Sequence, residues 1–144
     1  MRFALVTAVL AAVTVALAVP LAVLAGGSGK RQPPPTFAFG RTGGNIVPAK
    51  VSIGKDGRVT STGSEPKLAQ ASVSLRNGLG KLATAEGFFS MPVSTQCPAT
   101  LPDIAARFIT VSAGGKTRTV SVHGTCKPAF EELYAVLSAA VGAP

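Results

Sequence analysis

The sequence predicts a small α+β domain: an antiparallel sheet with two helices, in the order β-β-β-α-β-β-α, closed by one disulfide. Three observations lead there. A strictly alternating hairpin lies between Cys97 and Cys126. A helical-period stripe closes the chain. Strand runs are grouped rather than alternating singly with helices, which separates α+β from α/β.

The hairpin fixes its own register. Ala106–Ala113 and Lys116–His123 flank Gly114-Gly115, a dipeptide that supplies the positive φ values of a tight turn. If those glycines are the turn, Ala113 faces Lys116, Val111 faces Arg118, Thr110 faces Thr119, Ile109 faces Val120 and Phe108 faces Ser121. Side chains alternate faces with period two. Ile109, Val111, Val120 and Val122 then form a buried face, with Phe108, Thr110, Thr119, Ser121 and His123 opposite. A slip of one residue would exchange the faces, so burial holds the register.

The chain begins with Arg2 and an apolar run free of charge to Ala25. Residues 1–25 read as a signal peptide or an N-terminal membrane anchor, with Val23-Leu24-Ala25 an acceptable cleavage site and Ala16-Leu17-Ala18 an earlier one. The run is long enough to span a bilayer if it is retained. Residues 26–36, rich in glycine and then proline, read as a linker. The domain proper is expected over 37–142, in an extracytoplasmic setting: secreted, or held at the membrane.

Three short strands are expected between Phe37 and Gly63. Thr36–Phe39 alternates, and Gly43-Gly44-Asn45 is a turn signal. Val47, Ala49, Val51 and Ile53 should share one face of the second strand, with Pro48 marking an edge or a bulge. Gly54–Gly57 turns back to a strand over Arg58–Thr62. A helix is expected from Ser74 to Glu86, with Leu75, Leu79, Leu82 and Ala83 as its stripe and Gly87 past its end. Gly78 and Gly80 cost it about 1 kcal/mol each relative to alanine. Phe88 and Phe89 read as core anchors, and Ser90–Pro102, with three prolines and no period, as a stiff loop. The last helix opens at Pro128, carries Glu131 and Glu132 where the helix dipole favours acids, and repeats Phe130, Leu133, Tyr134, Leu137 and Val141 at helical spacing.

Charge and chemistry exclude more than they assign. The net charge is +8, with 14 Lys plus Arg against 6 Asp plus Glu. The cations are scattered singly. A nucleic-acid binder would carry them as a stripe with interleaved aromatics, so no nucleic-acid partner is expected; diffuse charge fits an anionic polymer or lipid surface. No paired-ligand spacing for a metal and no glycine-rich phosphate loop or hydrolase serine motif is present. No cofactor and no catalytic residue are expected. Two cysteines in an exported chain pair most simply with each other, so Cys97 and Cys126 are read as a disulfide. The rival is a cysteine nucleophile with His123, the single histidine, as base; it lacks a group to orient the imidazole.

Phe39-x-Arg41-x-Gly43-Gly44, a leucine-rich helix closing on Gly87-Phe88-Phe89-x-Met91-Pro92, and Pro102-Asp103 before the strand Arg107–Val111 resemble the emfourin family over about residues 37–141. The same order is similar to that of uncharacterised exported bacterial α+β domains. Emfourin-type proteins are small inhibitors of thermolysin-type metalloproteases, so the resemblance implies a non-catalytic domain whose partner is a secreted metalloprotease. The cysteine pair and the N-terminal segment depart from the family's pattern, and no inhibitory residue carries over. The loop Ser90–Pro102, with apolar Met91, Val93 and Leu101, is the candidate contact and Gly43–Ile46 the competing surface; the alternative is that the loop only connects the first helix to the hairpin. The alternative is a membrane-tethered, envelope-associated domain of other ligand.

Overall fold

A computed structural model of the chain describes residues 32–63 and 65–143. The leader or anchor expected over 1–25, and the part of the linker up to residue 31, lie outside the described residues. The elements are β1 (Thr36–Thr42), β2 (Ala49–Ile53), β3 (Val59–Thr62), α1 (Val73–Ala85), a 3₁₀ turn (Phe88–Ser90), β4 (Ser94–Gln96), β5 (Ala106–Ala113), β6 (Lys116–His123) and α2 (Pro128–Val141). The six strands form one sheet in the order β3-β2-β1-β5-β6-β4, with both helices packed on one face. Among the described residues no helix is long and apolar enough to cross a membrane.

The α+β class, the disulfide and the β5–β6 register are as the sequence predicts. The sheet is mixed rather than wholly antiparallel. β4 lies inside the expected loop and pairs parallel with β6, Ser94 against Ser121 and Gln96 against His123. β2 is an interior strand that begins only after Pro48, so Pro48 marks neither an edge nor a bulge. Val47 is 81 % exposed and lies outside the strand, not on the inner face.

The core is the single space between the inner sheet face and the helices. Phe37, Phe39, Val51, Ile53, Ile109, Val111, Val120 and Val122 supply the sheet side. Phe130, Leu133, Leu137 and Val141, one turn apart along α2, fill it from the other side. The buried stripe of α1 is Arg76, Leu79, Gly80 and Ala83, rotated from the expected one, and Leu75 and Leu82 lie at its margin. Arg76 is 3 % exposed. Its Nη1 donates to the carbonyls of Lys55 (2.9 Å) and Gly54 (3.4 Å), so α1 is pinned to the β2–β3 turn.

The same period-two rule that buries the four hairpin apolar residues puts Arg107 and Arg118 on the core face, because they stand opposite Val122 and Val111. Each sits at one margin of the core. Arg118 Nε donates to the Met91 carbonyl at 3.1 Å. Arg107 pairs with Glu131 of α2, with Nη2 to Oε1 at 2.6 Å, and also donates to the Gly124 carbonyl at 3.0 Å. Its guanidinium lies 5.5 Å from the ring centre of Tyr134, which meets Phe39 edge-on.

Tyr134 gives a first expected result. Burial raises its pKa, while the charges of Arg41 and Arg107 pull it back down. The folded chain therefore holds the phenol proton to higher pH than the unfolded chain does. Stability from this group is intact below the ordinary tyrosine value of about 10 and falls as pH rises through the folded value. Tyr134 is the single tyrosine, so ultraviolet phenolate titration reads it alone. The midpoint should lie above that of free tyrosine, and Arg107→Gln should move it further up. A midpoint at or below the free value would contradict this packing.

Candidate functional site

The sheet has two ends, set by register. Thr36, Ile53 and the Gly114-Gly115 turn lie at one; Thr42, Ala49, Ala106 and His123 lie at the other, with the disulfide beside them. The candidate site is at the disulfide end.

Its geometry follows from where the prolines fall. Pro98 and Pro102 each take the second position of a turn, where a fixed φ near −65° suits the chain. The first turn is Cys97-Pro98-Ala99-Thr100, with Thr100 N–H to the Cys97 carbonyl at 3.4 Å. Ala99 at its third position has φ 57°, a left-handed conformation that a type II turn asks for and that alanine adopts rarely. The second turn is Leu101-Pro102-Asp103-Ile104, with Ile104 N–H to the Leu101 carbonyl at 3.1 Å.

These two turns are pinned from several sides. Cys97 is bonded to Cys126, with Cα atoms 5.6 Å apart, and its N–H donates to the His123 carbonyl at 2.8 Å. The His123 ring is a peg: Nε2 donates to the Ile104 carbonyl at 2.6 Å, and Nδ1 lies 2.7 Å from the Gln96 side-chain amide. Gly124 has φ 98°, and a Cβ there would run into Thr100 Oγ1 and the Cys97 side chain. One His123 ring nitrogen is committed to a backbone carbonyl and the neighbouring sulfurs are joined in a disulfide, so the ring ties the end of β6 to Gln96 and to the Leu101–Ile104 turn.

The competing surface turns out to be the same surface. Asn45 N–H donates to the Asp103 carbonyl at 3.1 Å. Gly44, at φ 61°, lets the β1–β2 loop lie against Asp103–Ala105; a Cβ would strike their backbone. Four large apolar side chains thus stand exposed on two joined loops: Leu101, Ile104, Ile46 and Val47. Beside them runs a cleft of about 340 Å³, lined by Arg41, Ile46, Ile104, Arg107 and Thr125 among others.

Of the expected contact residues, Leu101 belongs to this surface. Val93 is exposed just before β4, separated from Cys97 by about 13 Å of extended chain. Met91 is half-buried against the core, its carbonyl held by Arg118. The three residues do not form one patch. Ile104 and Val47 were missed by sequence reasoning; the signal for Ile104 was its place after Pro102-Asp103, where a turn leaves the fourth residue at the rim.

Among the described residues no group of three or more His, Cys, Asp or Glu side chains could hold a metal ion. No protein-family model, curated protein or solved structure matches this chain.

Proposed function

We propose that the protein is an exported binding domain that presents its disulfide end to a partner protein, and that the partner is a secreted protease of the thermolysin type. One observation carries the binding reading. Two loops from different parts of the chain are joined through Asn45 and Asp103 and raise four apolar side chains on a backbone held by a disulfide, a histidine peg and two proline turns. A segment already held in its bound shape loses little entropy on association. Exposed apolar side chains grouped on one surface mark sites of interaction with a partner. The protease reading rests on the resemblance to emfourin-type inhibitors, for which rigidity has a direct use: a clamped loop can fill a cleft without relaxing into a cleavable geometry.

The test is inhibition of a thermolysin-type protease by the oxidised protein. Leu101→Asp with Ile104→Asp should weaken inhibition by about 2 kcal/mol or more, roughly thirtyfold in Kd. Both side chains are exposed, so the thermal transition should stay in place. Val93→Asp, just before the edge strand, should change little. If the wild-type protein inhibits no such protease at micromolar concentration, the inhibitor reading fails and the envelope-associated alternative stands.

A further inference from the structure

One carboxylate stands among the exposed apolar side chains of the joined loops. Glu131 is bound to Arg107, and Asp56 accepts the Arg58 N–H at 3.0 Å. Asp103 is different. It is the one acid lining the two clefts, of about 340 and 430 Å³, that flank the Leu101–Ile104 turn. It is exposed, lies between the exposed Leu101 and Ile104, and meets the loop of Ile46 through Asn45. Its carboxylate makes no hydrogen bond and no ion pair with any described residue. Arg41 and Arg107 line the smaller cleft with it, but Arg107 is taken by Glu131 and neither guanidinium is within ion-pair distance of Asp103.

The backbone that carries this carboxylate is held on both sides. Pro102, just before it, has a fixed φ. Ile104 N–H donates to the Leu101 carbonyl at 3.1 Å, Asn45 N–H to the Asp103 carbonyl at 3.1 Å, and His123 Nε2 to the Ile104 carbonyl at 2.6 Å. Gly44 lies so close that a Cβ there would stand 2.4 Å from the Asp103 carbonyl oxygen. What stays free is the short side chain itself, so a partner can receive it at little cost in entropy.

Seating Leu101 and Ile104 in a partner takes the carboxylate between them out of water. A desolvated carboxylate is costly unless a cation meets it. With no cation of this chain paired to it, charge complementarity asks the partner for one. A thermolysin-type protease has such a cation in its active site: a zinc ion on two histidines and a glutamate, with water in the fourth position. We propose, resting on the protease reading above, that Asp103 is the inhibitory ligand, and that its carboxylate takes the fourth position on the partner's catalytic zinc. One zinc–oxygen bond forms, to the carboxylate, and one breaks, releasing the bound water with both its protons. Carboxylate oxygens are ordinary zinc ligands. The displaced water is the nucleophile that the zinc activates. Asp103 thus removes the attacking group, while Leu101 and Ile104 hold the clamped turn in the cleft.

The test measures binding of the oxidised full chain to one thermolysin-type protease in zinc-loaded, zinc-free and cobalt(II)-substituted forms. The wild type should bind the zinc-free form about thirtyfold or more weakly than the zinc-loaded form. Asp103→Asn should bind both forms alike, at the weaker level. Its thermal transition should stay in place, because the carboxylate holds nothing in the domain. The wild type should change the visible spectrum of the cobalt form, and Asp103→Asn should not. Inhibition by Asp103→Asn at wild-type strength overturns the proposal. So does equal wild-type affinity for the zinc-loaded and zinc-free forms, or a cobalt spectrum that the wild type leaves unchanged, since the carboxylate then lies off the metal. After any of these the protease reading still stands if Leu101→Asp with Ile104→Asp weakens the complex. A wild type that binds no form of the protease overturns both.

Discussion

Leu137→Ala lowers the free energy of unfolding by about 2 to 5 kcal/mol. Leu137 is fully buried in α2, one turn from Leu133 and one from Val141, and shares its core with Phe39, Ile109 and Val120. Truncation removes the transfer energy of the lost methyl and methylene groups and leaves a cavity that packed strands on one side and α1 on the other cannot fill. Helix propensity does not offset this, because alanine and leucine differ by only a few tenths of a kcal/mol in a helix interior. Denaturant unfolding should show a lower midpoint with an unchanged slope. Val136→Ala on the same helix is the control: Val136 is 37 % exposed, and its loss should cost well under half as much. Wild-type stability for the Leu137 variant would mean that α2 is not docked on the sheet.

The parts of this fold that a sequence can reveal are those where one local rule decides the outcome. Gly114-Gly115 and strict alternation fix the β5–β6 register to the residue. Helical spacing marks Phe130, Leu133, Leu137 and Val141, all of them buried. The α1 stripe was misread because only apolar residues were counted. Arg76, Leu79, Gly80 and Ala83 keep the spacing i, i+3, i+4, i+7. What admits an arginine at the first of these is a pair of turn carbonyls from residues 54 and 55, far away in sequence. Arg107 and Arg118 were legible from the alternation rule itself, which sets them inward whatever their charge. β4 was not legible. Three residues carry no period, and their pairing is set by β6 and by the Cys97 N–H to His123 bond. The site was half legible: each loop stood out by composition, but that Asn45 meets Asp103 is a tertiary fact which neither loop contains.

Removing the disulfide by Cys97→Ala with Cys126→Ala should cost about 3 to 4 kcal/mol. The bond closes a segment with a sequence separation of 29, and the loop-entropy relation gives that figure for a loop of this length. Against a typical total of about 5 to 15 kcal/mol, the loss is a large fraction of the stability of a small domain. The hydrogen bonds that remain at the loop, from Cys97 N–H, Thr100 Oγ1 and His123 Nε2, are each worth about 1 kcal/mol net and cannot replace it. Alanine is the right substitute at Cys97, which is 4 % exposed, because serine would bury an unpaired hydroxyl and inflate the effect. The loss should also be uneven. Hydrogen exchange in the variant should rise most at Thr100, Ile104 and Asn45, whose N–H bonds hold the two turns and the joined loop, and least along α2 and β5, where the core is intact. Binding to a partner at the disulfide end should then weaken more than global stability alone explains, because the loop must be re-ordered in each encounter. If exchange at those three amides stays at the level of the oxidised protein, the proline turns and the His123 peg hold the loop without the disulfide, and the cysteines serve global stability alone.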